Sequence, residues 1–465
     1  MATKRSTKGM VAYGLMLSLS GALLYWIRSL GSELTPSTLV GAPKGGPALH
    51  GGTLFHVLLA LVVVIVASRL VGMLFRYFHQ PAVIGEVVAG IALGPSLLGR
   101  IAPEASSFLF PPAVVPLIGV LAQIGVIVFM FLVGLDLDTK QLGKKGEAAL
   151  AISHASILAP MLLGGALALW LYPTLAPAGV PFDVFGLFMG VAMSITAFPV
   201  LARILTDREM HRTHLGVLAL SCAAVDDATA WCLLALVVGI AESNPQAAAI
   251  TVGLTVAFMV FMFMVGRPLM QRFVRAQEVK QSVSRDAIAL MLVGVVVCAL
   301  IAEAIGIHAI FGAFLMGALV PADSLLARTM KQRLEDLAVV LLLPAFFAFT
   351  GLRTQLSLVS GAEGWWMCAA IVLVACAGKI GGTVVAARLT GVSRRDAWSL
   401  GALMNTRGLV ELVALNIGLD LGVISPALFA MMVVMALVTT FATSPLITLL
   451  SPETHPAGVR VPNGG

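Results

Sequence analysis

Long apolar runs, separated by short polar connections, fill this sequence almost from end to end. A stretch of about 18 or more apolar residues is long enough to cross the hydrocarbon core of a bilayer as a helix. The chain of 465 residues is 59% hydrophobic and only 11% charged, which excludes an ordinary soluble protein. The sequence therefore predicts an all-α polytopic membrane protein.

The polar interruptions divide the chain into about fourteen predicted spans. They cover residues 11–30, 53–77, 81–98, 113–134, 146–172, 183–204, 213–241, 246–266, 284–304, 308–321, 334–352, 362–389, 396–421 and 424–449. We expect three regions: an extra N-terminal transmembrane helix with an external linker in residues 1–52, a membrane domain in residues 53–449, and a short cytoplasmic tail in residues 450–465. The alternative for the first span is a cleaved signal peptide.

Basic residues sort unequally between the two sides of this arrangement. Of the 29 Lys and Arg residues, only Arg28, Lys44, Arg100 and Arg353 fall on the side opposite the two termini. The positive-inside rule therefore predicts that both termini are cytoplasmic. The net charge of +6 does not indicate a nucleic-acid partner, because the basic residues lie between spans and not on one soluble face.

Faint internal symmetry is present when the spans are counted from the second one. Residues 85–90 (GEVVAG) resemble residues 312–317 (GAFLMG), and a proline follows each segment. These are the second and ninth spans of about thirteen, so an odd offset of crossings separates them. The two segments therefore have opposite orientations, as in the inverted repeats of secondary transporters.

Few charged side chains lie inside the predicted spans. Each costs at least about 2.5 to 3.5 kcal/mol near the bilayer centre, so each calls for a partner or a function. The candidates are Glu86, Asp226, Asp227, Lys379, Arg407 and Glu411. For Glu86 we expect a packing or gating role, since it lies about one turn inside its span.

Adjacent acids near the middle of one span, Asp226 and Asp227, predict a site for a cation and a proton. Neighbouring helical residues point about 100° apart, so the two carboxyl groups are expected to have different partners. Lys379 is the natural counter-charge, and its small neighbours allow close approach of another helix. A structural ion-pair cluster is the alternative for the acids, and a lysine reaching to the interface is the alternative for Lys379.

Two spans carry interruptions. One lies at Thr196, Ala197 and Pro199, where the proline removes a helical hydrogen bond. The other lies at Asn405, Thr406, Arg407 and Gly408, where a polar run replaces apolar helix. Broken helices expose carbonyl groups and half-helix ends that coordinate ions. Arg407 and Glu411 are spaced i, i+4, which favours a structural pair, and a simple kink is the alternative for Pro199.

Five ordered segments carry a family resemblance. They are residues 81–99 (PAVIGEVVAGIALGPSLLG), 128–138 (VFMFLVGLDLD), 196–205 (TAFPVLARIL), 223–231 (AAVDDATAW) and 404–425 (MNTRGLVELVALNIGLDLGVIS). Together they resemble the monovalent cation/proton antiporter-2 family of sodium/proton-exchanger-like proteins, over residues 53–449. The last segment looks most like the branches that include plant cation/proton exchangers and related bacterial antiporters.

The resemblance implies a sodium/proton antiporter fold of thirteen helices with two broken crossover helices, a homodimer, and an elevator-like motion. Asp227 matches the ion-binding aspartate of the family, Asp226 the variable acid before it, and Lys379 the lysine that pairs with that acid. Thr196 and the residues from Asn405 to Gly408 match the crossover breaks. The departures are the extra N-terminal span and the missing nucleotide-sensing tail of glutathione-gated members.

These features predict an antiporter that exchanges Na⁺ or K⁺ for H⁺ in the inner (plasma) membrane. Asp227, Asp226 and Thr196 are the expected cation ligands, and no cofactor is expected. A cation channel and a transport-dead membrane sensor are the alternatives. An enzyme is not expected, because no nucleophile with its base, metal-ligand set or phosphate loop appears in the sequence.

Overall fold

The structure is a computed structural model, and it describes residues 3–31, 53–78, 80–136, 146–210, 213–242 and 245–450. These residues are helical, with turns between the helices and no strand among them. Ten of their helices are long and apolar enough to cross a membrane. The prediction of an all-α polytopic membrane protein is therefore confirmed. The predicted linker and tail (residues 32–52 and 451–465) lie outside the described residues.

The α-helices of the first half begin and end as follows: α1 Thr3–Gly31, α2 Thr53–Tyr77, α3 Ala82–Leu93, α4 Leu98–Ile101, α5 Pro103–Leu109, α6 Val115–Asp136, α7 Gly146–Leu175, α8 Phe182–Ser194, α9 Phe198–Asp207 and α10 His214–Glu242. Those of the second half are α11 Pro245–Phe261, α12 Arg267–Val279, α13 Arg285–Ile305, α14 Ala309–Ala318, α15 Leu325–Leu337, α16 Leu343–Arg353, α17 Gly361–Leu389, α18 Arg394–Met404, α19 Leu409–Asp420 and α20 Pro426–Leu450.

Serine side chains begin several helices by a common mechanism. The first N–H groups of a helix have no partner within it, and a serine hydroxyl accepts one of them. Ser284 accepts from the backbone N–H of Ala287 at 3.1 Å, and Ser324 accepts from that of Ala327 at 3.1 Å. Both serines lie directly before the first residue of a helix, so they fix where α13 and α15 start.

Two helices extend further than their apolar runs predict. A π-helical turn at Met262–Gly266 joins α11 to α12, although the predicted span stops at residue 266. A second π-helical turn at Ala338–Leu342 joins α15 to α16, although that span was expected to begin at residue 334. The reason is that α12 is amphipathic and buries Met270 and Val274 while its charges face outward. Hydropathy marks the apolar part of a helix and not its end.

Close helix contacts follow the internal symmetry predicted from the glycines. An added Cβ at Gly90 in α3 would meet the backbone of α16, where Gly351 lies against Gly90. An added Cβ at Gly317 in α14 would meet the backbone of α6, where Gly134 lies against Gly317. Each glycine pair therefore lets two helices touch backbone to backbone. The first contact joins α3 to the second half of the chain, and the second contact joins α14 to the first half.

The extra N-terminal helix, α1, packs against α7 and α8. Arg28 near its end lies 3.3 Å from Asp183 at the start of α8. Its outer face exposes Leu15, Leu19 and Tyr25, as expected for a helix bordered by lipid. Whether α1 is retained in the membrane stays a prediction.

Candidate functional site

The two interrupted helices meet at their breaks. The helical pattern stops at Ser194 and resumes at Phe198, and it stops again at Met404 and resumes at Leu409. The backbone N–H of Ala197 in the first break donates to the carbonyl oxygen of Thr406 in the second at 3.0 Å. Both breaks are buried. Four half-helix ends therefore converge inside the protein, each with backbone groups that its own helix leaves without a partner.

Two cationic side chains bind the carbonyl end of α8. The ammonium group of Lys379 donates to the carbonyl oxygen of Ser194. The guanidinium group of Arg407 donates to the carbonyl oxygens of Met193 and Ala192, the latter at 3.1 Å. Because the C-terminal end of a helix carries partial negative charge, both cations stabilise the end of α8 where it stops inside the protein.

Asp226 has an unusually complete set of hydrogen-bond donors. Lys379 Nζ lies 2.8 Å from Asp226 Oδ2, and the hydroxyl of Thr196 donates to the same oxygen at 2.7 Å. Ser156 donates at 2.9 Å, and Ser153 donates to the other carboxylate oxygen. Asp226 and Lys379 are both 0% exposed. This arrangement satisfies a buried carboxylate on both oxygens, which is the condition for keeping it charged in an apolar interior.

Close packing of α17 on α7 brings Lys379 to Asp226. Gly378 lies against the backbone of Pro160, and Gly382 lies against the carbonyl group of Ala155. These glycines flank Lys379 on its helix, and larger side chains there would hold α7 away. The small neighbours noticed in the sequence therefore serve contact with α7, the helix that also carries Ser153 and Ser156.

Asp227 has the opposite environment. It is 1% exposed, and neither of its carboxylate oxygens has a hydrogen-bond partner among the described residues. The backbone N–H of Phe198, at the N-terminus of α9, lies near this carboxyl group, but neither Asp227 oxygen accepts a hydrogen bond of ordinary geometry from the described residues. The two adjacent acids therefore point to different surroundings, as the helical geometry predicts. One is fully paired and the other has free oxygens.

The second break has its own network. Arg407 lies 3.0 Å from Glu411, and both side chains are 0% exposed. The backbone N–H of Arg407 donates to the hydroxyl of Thr440 in α20 at 3.0 Å. Asn405 donates to the sulfur of Cys376 at 3.4 Å, while its side-chain oxygen has no partner among the described residues. Glu411 Oε1 also has no partner among the described residues, so this network holds two buried oxygens that are available to a ligand.

The remaining predicted residues lie as follows. Ala197 and Gly408 contribute extended backbone to the two breaks. Pro199 is the second residue of α9, and its side chain lies outside the described part of the structure. Glu86 is buried in α3, where Arg69 and Arg76 of α2 are the charges that act on it.

Sequence reasoning missed Ser153 and Ser156. Serine is common in membrane helices and usually bonds to a carbonyl group of its own helix. The only signal in the sequence was their i, i+3 spacing, which places both hydroxyl groups on one face of α7.

A polar cavity of about 280 Å³ lies toward the C-terminal end of α10. Gln123, Glu303, His308 and Asp420 line it, together with Val238 of α10. Val238 is eleven residues beyond Asp227, or about 16 Å along the helix axis. About three helical turns of α10 therefore separate this cavity from the site.

The donor set of the site is made of oxygen atoms. Within the described residues, no group of three His, Cys, Asp or Glu side chains is close enough together to hold a metal ion of the transition or zinc type. Carboxylate, hydroxyl and carbonyl oxygens are the ligands of hard cations. The chemistry that this site offers is the binding of a proton or of a hard cation by the same free carboxylate.

Comparison with known proteins gives a family match over most of the chain. Residues 57–450 match the family described as sodium/hydrogen exchanger, transmembrane. The Na(+)/H(+) antiporter NhaS4 of Synechocystis is 44% identical over 402 residues, which cover 86% of this chain and 98% of that protein.

Two eukaryotic relatives are longer. The cation/H(+) antiporter 18 of Arabidopsis thaliana is 42% identical over 84% of this chain and 48% of its own length. The K(+)/H(+) antiporter 1 of Saccharomyces cerevisiae is 34% identical over 86% of this chain and 46% of its own length. This chain therefore spans about half the length of these two relatives.

A solved structure shares the fold. The structure of the sodium proton antiporter MjNhaP1 from Methanocaldococcus jannaschii at pH 8 aligns with a TM-score of 0.64 and 15% sequence identity. The alignment covers 86% of this chain and 99% of that one.

Proposed function

Because this chain belongs to the sodium/hydrogen exchanger family of membrane transporters, we propose that it exchanges a monovalent cation, Na⁺ or K⁺, for H⁺ at Asp227. The observation that carries the proposal is the contrast between two adjacent buried acids. Asp226 has four donors, whereas the oxygens of Asp227 have no partner among the described residues. A free carboxylate in a dry site needs either a proton or a cation.

The exchange step is competition for the oxygens of Asp227. When the site faces the side of higher pH, Asp227 releases its proton and a cation takes its place. Asp226 and Thr196 supply further oxygen ligands from the same neighbourhood. Lys379 pairs with Asp226 in the cation-free state and moves away when the cation arrives. Each pH unit of gradient supplies about 1.36 kcal/mol to this cycle.

The names of the relatives indicate the class of the transported cation and not which cation it is. One relative is named for Na⁺ and another for K⁺, and both are named as antiporters. We infer that the cargo is monovalent and that Asp227 binds it without a resident cofactor.

Alternating access is proposed to occur by an elevator-like motion of the helices that carry the site. The interrupted helices α8–α9 and α18–α19, with α7, α10, α17 and α20, form the moving part. The glycine contacts that pair α3 with α16 and α6 with α14 support a separate rigid part. Arg353 of α16 pairs with Asp420 of α19 across the boundary between them, so this ion pair must break during the motion.

The sequence leads to three further proposals. The chain is a homodimer, as the resemblance of its sequence implies. Both termini are cytoplasmic, because the Lys and Arg residues sort strongly to that side. The protein resides in the inner (plasma) membrane with residues 53–449 as its antiporter domain.

Transport by the Asp227→Asn variant tests the proposal. Everted vesicles carrying a pH-sensitive dye should show dequenching on addition of Na⁺ or K⁺ with the wild-type protein and none with Asp227→Asn. Asp183→Asn is the matched control, since Asp183 lies at the start of α8, where it pairs with Arg28 and accepts from the backbone N–H of Val184, away from the site. Cation-dependent dequenching by Asp227→Asn at the wild-type rate would overturn the assignment.

Coupling must be tested separately. In proteoliposomes an antiporter moves H⁺ only when the cation is present on the opposite side. Cation current without an obligatory counter-ion would indicate a channel instead, and absence of any flux would indicate a transport-dead protein.

A further inference from the structure

We propose that Ser153 and Ser156, which we call the serine pair, are positioning residues that hold Asp226 as a carboxylate during the interval in which Lys379 is away from it. This inference rests on the proposed exchange at Asp227. It adds two residues of α7 to the transport machinery, and it assigns Asp226 the role of a fixed anion while Asp227 carries the exchanged proton.

The geometry of the serine pair is directed at one carboxyl group. Ser153 and Ser156 are both 0% exposed and are spaced i, i+3, so their hydroxyl groups share a face of α7. Ser153 donates to Asp226 Oδ1. Ser156 lies 2.9 Å from Oδ2 and 3.2 Å from Oδ1, so it bridges the two oxygens. Asp226 is 70 residues or more away in the chain, so these are contacts of the folded bundle.

The two serines differ in whether a second hydrogen-bond acceptor lies within reach of the hydroxyl group. A serine inside an apolar helix normally bonds to a carbonyl group one turn earlier in the same helix. Ser156 has that option, because the carbonyl oxygen of Ser153 lies 2.9 Å from its hydroxyl. For Ser153 the structure records Asp226 as its acceptor and no local carbonyl group. Ser153 therefore donates to Asp226, whereas Ser156 can rotate to donate to the carbonyl oxygen of Ser153 instead.

The departure of Lys379 makes these donors necessary. The ammonium group has three hydrogen bonds in the paired state: to Asp226, to the carbonyl oxygen of Ser194 and, at 3.5 Å, to Ser156. When it leaves, Asp226 loses its counter-charge inside a low-dielectric interior. Among the described residues, Thr196 is then the one donor besides the serine pair, and its single hydroxyl proton is shared with the carbonyl oxygen of Met404 at 3.1 Å.

Without the serine pair, the state in which Lys379 has left becomes selectively less stable. The cation-free state is affected less, because Lys379 still neutralises Asp226 there. Because Lys379 is away from Asp226 in the cation-bound state, the expected signature is weaker cation binding. A general packing defect would instead reduce the amount of folded protein and the maximal rate, without changing the apparent affinity.

The first experiment measures initial exchange rates in proteoliposomes over a range of Na⁺ and K⁺ concentrations. For Ser153→Ala we expect the KM for the transported cation to rise about tenfold, the order expected for loss of a hydrogen bond to a charged group. The maximal rate should change much less. Ser156→Ala should have a smaller effect, because Ser156 has a local alternative acceptor. Ser153→Thr retains the hydroxyl and should restore the wild-type KM.

Thr439→Ala is the matched control. Thr439 is also 0% exposed, but its hydroxyl donates to carbonyl groups of its own helix, at 2.9 Å from Met435 and 3.1 Å from Ala436. Its loss removes a buried hydroxyl of similar size without touching Asp226. An equal rise in KM for Thr439→Ala and Ser153→Ala would overturn the positioning role.

The second experiment needs no transport. Cation-dependent thermal stabilisation of the purified protein reports binding directly. We expect Ser153→Ala to require about tenfold more cation for half of the stabilisation. In the Asp226→Asn, Lys379→Ala background, Ser153→Ala should produce a much smaller change, since Ser153 then donates to a neutral amide oxygen and not to a carboxylate. The same shift in both backgrounds would refute the inference. If the wild-type protein exchanges the cation and Ser153→Ala leaves the KM unchanged, the inference is refuted and the proposed function stands. If the wild-type protein shows no exchange, the proposed function is refuted.

Discussion

Replacement of Arg407 tests whether a buried arginine supports the broken helix α8 or serves only as the partner of Glu411. In Arg407→Met the carboxyl group of Glu411, which is 0% exposed, loses its counter-charge. Breaking a buried ion pair in this way costs about 3–5 kcal/mol. The carbonyl oxygens of Ala192 and Met193 lose their donors in the same substitution.

The double variant Arg407→Met, Glu411→Gln separates the two contributions. It removes the uncompensated charge of Glu411, so most of the stability lost with the ion pair should be regained. The two carbonyl groups at the end of α8 stay without a donor, and each buried unsatisfied group costs about 1–3 kcal/mol. We therefore expect the double variant to lie between the single variant and the wild-type protein, about 2 kcal/mol or more below the latter.

The free energy of unfolding, measured by titration with SDS in mixed micelles, gives the comparison. Glu411→Gln alone is the control for loss of the acidic charge, and it leaves the helix-capping contacts of Arg407 intact. If the double variant is as stable as the wild-type protein, the carbonyl contacts contribute nothing and Arg407 is only an ion-pair partner. A single variant that loses less than about 1 kcal/mol would refute the burial argument itself.

Further predictions concern the charge pair, the helix contacts and the surface. Lys379→Ala should abolish measurable exchange, whereas Lys379→Ala with Asp226→Asn should retain part of it, because the unpaired buried carboxylate is then absent; additive losses in rate would contradict the pairing. Gly90→Val should prevent accumulation of folded protein on size-exclusion chromatography, since its side chain meets the backbone of α16, whereas Gly381→Ala should behave as the wild type because no atom lies within 4 Å of its added Cβ. Arg28→Gln should change the melting temperature little, because a half-exposed ion pair contributes about 0–1 kcal/mol.

The cost of charge in a membrane explains how much of the site could be predicted from the sequence. Asp226, Asp227 and Lys379 are conspicuous because an apolar span does not tolerate them without a reason. Membership of the exchanger family, suggested by five segments, is confirmed by the match over residues 57–450. The assignment of Lys379 to Asp226 came from the resemblance, since helical geometry says only that adjacent acids point apart.

Residues without such an energetic cost could not be recognised in the sequence as part of the site. Ser153 and Ser156 resemble any serines of a membrane helix, and only the packing of α7 against the helix of Asp226 gives them a shared acceptor. For Arg407 the i, i+4 spacing predicted the contact with Glu411, but α19 begins only at Leu409, so the pair spans the end of the break. The bonds of Arg407 to the end of α8 depend on the meeting of two breaks about 210 residues apart, which no local pattern encodes.

The charges around the two breaks account for exchange of one positive charge for another. Asp226, Asp227, Lys379, Arg407 and Glu411 are each no more than 1% exposed. Their formal charges are three negative and two positive, so this group of five is balanced only when one further positive charge is present. A proton on Asp227 supplies it, and so does one monovalent cation beside Asp227. A divalent cation would leave this group with a net positive charge. An empty ionised site leaves it with a net negative charge in a low-dielectric interior. Under the proposed elevator-like motion, we therefore expect both loaded forms to move through the membrane interior and the empty form to be held back. A transporter with this charge balance couples the two ions because it does not cross without one of them.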